Sequence, residues 1–149
     1  MIEGDSAEEE VLDRSECVRL LGSRQVGRVV VSVEGWVPMI RPVNYAFDPA
    51  SQSVVFRTGR GSKLTAVLLA KLAAFEVDDI EESAEGAWSV ILTGKAEEVT
   101  LPADVDRLES FELESWAPGR RPHWVRIRTE TLSGRRIRPA HPPDPPDPP

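Results

Sequence analysis

The segment Arg57-Thr58-Gly59-Arg60-Gly61-Ser62-Lys63 lies between a β-rich run and a helical run, and its residues suit an anion. Gly59 and Gly61 allow the backbone to turn sharply and to bring N–H groups close to a ligand. Ser62 can cap the helix that follows, which places the positive end of that helix at the same point. Two arginines, a lysine and two hydroxyl groups fall within these seven residues. The segment therefore predicts a site for a phosphate group.

Solvated connections between a strand and a helix have a similar composition, so the segment by itself leaves both interpretations open. Its spacing differs from that of a Walker A loop, in which the glycines, the lysine and the final Ser or Thr are placed differently. It also differs from the GxGxxG fingerprint. The segment therefore gives no support to hydrolysis of nucleoside triphosphates.

The residues on either side of this segment predict a mainly β protein with short helices. Strands are expected at residues 27–33 and 36–47, joined in a hairpin by Glu34-Gly35, and at residues 54–58. Pro38 and Pro42 cannot donate ladder hydrogen bonds, so the second strand should be an edge, or bulged, over part of its length. The further expected elements are a helix at Ser62–Ala70, strands at 72–78 and 88–99, a short helix from 101 to about 111, and segments at His123–Arg128 and 135–138 that form one interrupted strand or a hairpin. The short connections favour a small antiparallel barrel with helices at its ends over a doubly wound sheet.

A first helix is expected after Asp13, which can cap it together with Glu16, and Gly22 marks its end. The lone cysteine of the chain, Cys17, lies on this helix. It is expected to be a buried apolar residue rather than a catalytic thiol. A single cysteine also excludes an internal disulfide.

Length, composition and charge limit the class of protein. A chain of 149 residues, 40% of them hydrophobic, is expected to form one domain with a core. The net charge of −7 argues against nucleic acid and anionic membranes as partners, because the long-range field would repel them. No apolar run reaches the length of a membrane span or a signal-peptide core, so a cytoplasmic location is expected. His123 and His141 have no second His or Cys close in sequence, so no metal site is expected.

Charged residues and prolines are concentrated towards the ends of the chain. Residues 1–12 are rich in Asp and Glu and are expected to form a disordered acidic tail. More than half of the 13 prolines lie in residues 139–149, which are expected to form a disordered tail of polyproline character. The folded domain is therefore expected at residues 13–138. Arg126 and Arg128 lie two residues apart, which is typical of the outward face of a strand.

Several blocks of sequence follow one another in a specific order. They are Gly27-Arg28-Val29-Val30, Pro42-Val43-Asn44-Tyr45, Phe56-Arg57-Thr58 with Gly61-Ser62-Lys63-Leu64, Ala74-Phe75-Glu76-Val77-Asp78, and Gly86-Ala87-Trp88-Ser89-Val90 with Gly94-Lys95-Ala96. This succession resembles the pyridoxamine 5′-phosphate oxidase-like family of flavin-binding split barrels, and in particular its smaller branches, which resemble nitroimidazole reductases or deazaflavin-dependent reductases. The resemblance implies a six-stranded antiparallel Greek-key split β-barrel that forms a homodimer. It also implies FMN, or alternatively a deazaflavin coenzyme, bound at the interface between the two subunits.

The resemblance further implies roles for individual residues. The backbone along the isoalloxazine ring would be that of Pro42, Val43, Asn44 and Tyr45, and the cofactor's phosphate would be held by Arg57, Thr58, Ser62 and Lys63. Trp88 would lie near the ring or at the dimer interface, although an aromatic residue on a strand more often packs in a core or an interface. The further arginines at positions 60, 120 and 121 leave the longer anionic tail of a deazaflavin as an option.

The function that the resemblance implies is an FMN-dependent oxidoreductase acting on a small molecule, in which the flavin carries the hydride or the electrons. The sequence shows no nucleophile, triad or carboxylate pair in a recognisable setting, and no catalytic residue is assigned. A non-catalytic carrier or sensor that holds a flavin or a deazaflavin is the alternative. The chain has no counterpart of the carboxy-terminal substrate-phosphate motif of the true pyridoxamine-phosphate oxidases, so oxidation of vitamin B6 itself is not expected.

Overall fold

A computed structural model describes residues 7–81, 86–116 and 119–139, apart from the side chains of Ser62 and Lys63. Over these residues the chain forms eight strands and three short helices. In chain order the elements are β1 (Glu8–Val11), α1 (Arg14–Leu21), β2 (Val26–Val31), β3 (Met39–Asp48), β4 (Ser53–Thr58), α2 (Ser62–Ala70), β5 (Leu72–Ile80), β6 (Ala87–Val99), α3 (Pro102–Glu109), β7 (His123–Arg128) and β8 (Thr131–Arg138). No helix of this part of the chain is long and apolar enough to cross a membrane.

Strands β2 to β7 close into a six-stranded antiparallel barrel. The order β5-β2-β3-β4-β7 is completed by β6, which pairs with both β5 and β7. Three consecutive strands with the next one returning beside the first make a Greek key, and β5 returns in this way beside β2. Strands β8 and β1 extend the sheet beyond β6. The predicted six-stranded Greek-key barrel is therefore confirmed, with two additional strands.

The prediction that the second strand of the hairpin is partly an edge is also confirmed. Residues 39–44 of β3 pair with β2, whereas residues 45–48 pair with β4. Pro42 lies opposite Arg28 in the first part, where β3 has one paired neighbour among the described strands. Because no described strand lies on the open side of Pro42, no ladder hydrogen bond is lost there through the missing N–H.

The barrel interior is filled by alternate residues of its strands, as expected for strands with one buried face. Fully buried side chains include Val29, Phe56, Phe75, Leu92 and Ile127. A smaller apolar cluster under α3 consists of Val55, Val99, Leu108 and Trp124.

Helix α1 lies between Asp13 and Gly22, as the sequence predicted. The Asp13 carboxylate accepts a hydrogen bond from the Glu16 N–H at 2.9 Å, which confirms the cap. Cys17 is 1% exposed, so the prediction of a buried thiol is confirmed, and burial raises its pKa. The thiol is therefore protonated and unreactive at neutral pH.

The expected disordered tail over residues 1–12 is wrong for Glu8–Val11, which pair with β8 as strand β1. The physical reason is charge complementarity between the two ends of the chain, since Arg135 contacts Glu9 at 2.6 Å and Arg136 contacts Glu10 at 3.5 Å. The carboxy-terminal segments form one interrupted strand rather than a hairpin, because β7 and β8 pair with successive parts of β6 and not with each other, and β8 begins at residue 131 rather than 135. Residues 1–6 and 140–149, which include most of the two expected tails, lie outside the described residues.

Candidate functional site

A groove lies where the open part of β3 meets the end of β4. Four residues singled out from the sequence line it, namely Pro42, Val43, Asn44 and Arg57. Its other wall comes from the segment between α3 and β7, through residues 113–115 and Arg121. The groove has a volume of only about 60 Å³, so it is a narrow cleft rather than a large cavity.

Arg57 is held in the groove by contacts on three sides. Its guanidinium lies over the Trp124 ring at 5.3 Å, and its Nε donates to the carbonyl oxygen of Arg121 at 3.0 Å. A carboxylate oxygen of Glu109 lies 3.8 Å from its Nη1. The positive charge is therefore fixed in position and only partly compensated by the nearby carboxylate.

Arg121 brings a second positive charge to the same groove. Its Nε is buried and has no hydrogen-bond partner among the described residues. A buried guanidinium N–H without an acceptor is costly, so this donor is suited to an anion placed in the groove.

The turn before α2 differs in one detail from the sequence prediction. The residue that caps α2 is Gly61, with a φ of 148°, and not Ser62, which is the first helical residue. Because Gly61 has no side-chain oxygen, it makes no side-chain capping hydrogen bond to the first turn of α2. A Cβ at Gly59 would lie 3.0 Å from the carbonyl oxygen of Arg120, so the turn lies directly against the segment that carries Arg121.

The structure does not bring the Thr58 side chain into the groove. Alternate residues of a strand point to opposite faces, so Thr58 points into the barrel while Arg57 points out. Thr58 is 2% exposed and its hydroxyl donates to the carbonyl oxygen of Gly59 at 3.2 Å. The predicted phosphate contacts of Ser62 and Lys63 lie outside the described side chains.

Tyr45 belongs to the barrel core. Its ring packs edge-on against Phe75 at 4.6 Å, and its hydroxyl donates to the carbonyl oxygen of Leu21 at 2.6 Å. Burial raises the pKa of the phenol, which is therefore neutral at physiological pH. Its side chain is thus fully used in packing.

Trp88 does not line the groove. It lies on β6 opposite Asp79 and Arg136, is 4% exposed, and carries the guanidinium of Arg24 at 5.4 Å from its ring centre. Arg24 also pairs with Asp79. Within one chain Trp88 is therefore a packing residue.

His123 lies opposite Thr58 and forms a hydrogen bond through Nδ1 with the Glu98 carboxylate. Its Nε2 is buried without a hydrogen-bond partner among the described residues. The described part of the chain holds no group of three or more His, Cys, Asp or Glu side chains that could bind a metal ion.

The segment of residues 111–116 contributes to the site from the irregular stretch between α3 and β7. The backbone N–H of Trp116 donates to the Asn44 side-chain oxygen at 2.9 Å, which ties this segment to β3. On its other side lies a second cavity, of about 450 Å³, which shares Asn44, Leu113 and Glu114 with the groove. An irregular loop without periodicity gives no pattern from which such contacts could be predicted.

The closed Greek-key barrel with a groove along its open strand is the split-barrel class of fold. The sequence model of the family described as pyridoxamine 5′-phosphate oxidase matches residues 13–136. The chain therefore belongs to the pyridoxamine 5′-phosphate oxidase family.

Known proteins from mycobacteria and corynebacteria are similar over most of this chain. The uncharacterized protein Rv0080 of Mycobacterium tuberculosis is 36% identical over 131 residues, which are 85% of this chain and 84% of that protein. The structure of the FAD binding protein from Mycobacterium smegmatis is 35% identical, with a TM-score of 0.70, over 86% of this chain and 97% of that chain. A solved structure from Corynebacterium glutamicum is 30% identical, with a TM-score of 0.78, over 88% of this chain and 99% of that chain.

Proposed function

We propose that this protein is a flavin-dependent oxidoreductase that acts on a small molecule, with FMN as the expected coenzyme. The observation that carries the proposal is the groove in which Arg57 and Arg121 lie beside the open edge of β3. A similar protein from Mycobacterium smegmatis is described as FAD binding, which supports a flavin as the ligand.

The donors present fit the anionic part of such a coenzyme. Arg57 offers a fixed guanidinium, Arg121 has a buried Nε without an acceptor, and the first turn of α2 has no side-chain cap. Arg60 is exposed next to this turn. Phosphate oxygens would satisfy these donors through charge-assisted hydrogen bonds and the positive end of the helix.

The strand beside the groove suits the flat part of the coenzyme. Over residues 42–44 the outer edge of β3 has no paired strand among those described, so its backbone groups are free to face a ligand. The bound flavin would supply the transfer of hydride or electrons. The protein's part is to bind the coenzyme, orient it and limit the access of water, so no side chain is assigned as an acid or a base.

The small size of the groove and the apolar outer face of the sheet also support a homodimer. The groove of one chain is too small and open to enclose a flavin ring, so a second surface is needed to cover it. The outer faces of β3, β5 and β6 carry exposed Ile40, Leu72 and Ile91, at 57%, 59% and 44% exposure. Exposed apolar side chains on one sheet face are typical of a surface that is covered in an assembly.

A redox titration separates an enzyme from a carrier or sensor. The purified protein, loaded with flavin, is mixed with NADH or NADPH without oxygen and then given air or an added acceptor. Bleaching of the flavin absorbance followed by its return is the expected result. A bound flavin that no donor reduces would favour the non-catalytic binding protein instead.

The residues that hold the phosphate are tested by flavin retention. The variant Arg57→Ala with Lys63→Ala is expected to lose most of the bound flavin on gel filtration, because two positive charges near the phosphate are removed. Arg138→Ala is the control, since Arg138 is exposed at the end of β8 and forms no ion pair within the described residues. Unchanged flavin stoichiometry in the double variant, measured from absorbance, would contradict the phosphate assignment.

A further inference from the structure

The second cavity is large enough to hold a molecule of its own. Its volume of about 450 Å³ falls within the range of roughly 300–1,000 Å³ that is usual for small-molecule sites. Its walls are the end of α1, the second half of β3 and residues 111–116. Because it shares Asn44, Leu113 and Glu114 with the groove, a molecule in this cavity would lie next to a flavin in the groove.

The uncharged part of the cavity wall is rich in apolar and aromatic groups. Phe47, Phe111, Leu113 and Trp116 all line it. Trp116 is 68% exposed, and the hydrogen bond of its backbone N–H to Asn44 ties its main chain to β3. Such a wall is suited to the apolar or aromatic body of a ligand, and an indole face also attracts cations.

The charged groups of the cavity wall are predominantly acidic. Glu112 and Glu114 line the cavity, and neither forms an ion pair with another residue that the structure describes. The lone arginine of the wall, Arg24, is already paired with Asp79 and stacked over Trp88. The uncompensated charge at the cavity is therefore negative, in contrast to the arginines of the neighbouring groove.

We propose that this cavity is the substrate site and that it selects an organic cation, that is, a molecule with an aromatic or apolar body and an ammonium group. The aromatic wall holds the body, and the two free carboxylates attract the positive charge. The identification of the bound cation as a substrate rests on the proposed flavin chemistry, whereas its binding to the cavity does not. The groove and the cavity thus select ligands of opposite charge from adjacent positions.

Three probes of similar size and different charge test the proposal on the full chain without flavin. They are 2-phenylethylammonium, 2-phenylethanol and phenylacetate, each titrated by calorimetry and by ligand-observed NMR. We expect the ammonium compound to bind most tightly and the carboxylate least, with a preference that shrinks as salt is raised. Equal affinity for the three probes, or no binding of any of them, would overturn the proposal.

Variants then connect the preference to the named side chains. Glu112→Gln with Glu114→Gln is expected to weaken binding of the ammonium probe by about three- to tenfold and to leave the alcohol unchanged, since exposed charge pairs are individually weak. Glu130→Gln is the matched control, because Glu130 is exposed and has no ion pair within the described residues. Trp116→Ala should weaken all three probes, as it removes a wall of the cavity. An unchanged affinity for the ammonium probe in both variants would place its binding elsewhere and contradict the cavity.

Flavin retention, measured on the same preparations, keeps the two proposals apart. Probe binding without flavin retention supports the cation cavity and contradicts the proposed function. Flavin retention without probe binding contradicts the cavity alone.

Discussion

At the scale of single residues, Asp48 is a buried carboxylate at the junction of the barrel and α3. It is 1% exposed at the end of β3 and accepts hydrogen bonds from Arg107, from the Ser51 hydroxyl and from the Ala50 N–H at 3.1 Å. Burial by itself raises the pKa of the carboxyl, but these hydrogen bonds outweigh burial and hold the pKa below its ordinary value. The ion pair between Asp48 and Arg107 connects α3 to the barrel.

Asp48→Asn is expected to lower the free energy of unfolding by about 2 kcal/mol at pH 7, since a charged hydrogen-bonded pair is lost. A lowered pKa in the folded state means that the stabilisation is present above the unfolded pKa, near about pH 4, and is lost as the pH falls through the folded value. The difference between variant and parent should therefore shrink in acid. Urea unfolding of the variant and the parent at several pH values measures this difference in the free energy of unfolding.

Asp106→Asn serves as the control for this prediction, because Asp106 is exposed on α3 and has no ion pair within the described residues. Its effect should stay within about 0.5 kcal/mol at every pH. A loss in Asp48→Asn that stays constant down to pH 2 would show that packing, and not the charge, is responsible.

Residue-level predictions from the sequence succeeded where alternation or composition decides the environment. Cys17 is buried and the Asp13 cap is formed, as expected. Arg57 lies in the groove and the adjacent Thr58 does not, because neighbouring residues of a strand point to opposite faces. The roles of both residues in holding a phosphate stay predictions. Trp88 lies elsewhere because its position depends on how β6 pairs with β5 and β8, which one sequence does not reveal.

At the scale of elements, β6 is the strand on which the barrel closes. Residues 87–95 of β6 pair with β5 along one edge. Along the other edge residues 87–93 pair with β8 and residues 96–99 pair with β7, so this edge changes its partner near Gly94. A Cβ at Gly94 would lie 1.5 Å from the carbonyl oxygen of Arg128. The absence of a side chain there allows the turn after β7 to approach β6.

Gly94→Ala is expected to destabilise the protein by about 3 kcal/mol or more, because backbone atoms must move apart to admit the methyl group. Thermal unfolding measures the loss of stability. If Gly94→Ala fails to fold, it should be less soluble than the Gly22→Ala control. Gly22→Ala is the control, since its nearest atoms would lie 3.7 Å away in ordinary contact. Equal stability of the two variants would contradict the close approach of β7 to β6.

The order of elements could be predicted because each strand and helix has a periodicity or a turn signal of its own. Strand β1 was missed because Glu8–Val11 lacks the apolar alternation that is typical of a strand. It forms because it pairs with a segment rich in arginine that lies more than a hundred residues away in the chain. The segment of residues 111–116 likewise has no strand or helix pattern of its own. Its contact with β3 through Asn44 is long-range and unaccompanied by any local motif.

At the scale of the whole molecule, the sequence predicted a barrel from the short connections, and the resemblance supplied the six-stranded Greek key. Closure itself depends on the pairing of β6 with β7, which propensity alone does not determine. The end of the folded domain at residue 138, the cytoplasmic location and the homodimer stay predictions, whereas the start at residue 13 is too late because β1 belongs to the sheet.

The homodimer is tested with the apolar outer face of the sheet. Ile40→Asp with Ile91→Asp should convert a dimer into a monomer in light scattering after gel filtration, because two charges would be buried without partners. Leu101→Asp is the control, as Leu101 is exposed at the start of α3 and does not belong to that face. A parent chain that is monomeric at all concentrations would contradict the assembly.

The measurement that tests the central claim most directly is the absorbance spectrum of the purified protein after separate incubation with FMN, FAD and a deazaflavin coenzyme. Each sample is passed through gel filtration to remove free ligand before the spectrum is recorded. The account predicts that a flavin band stays with the protein at about one flavin per chain, with FMN retained best. Retention of none of the three, by a chain that is folded by circular dichroism, would contradict the assignment of the groove as a flavin site.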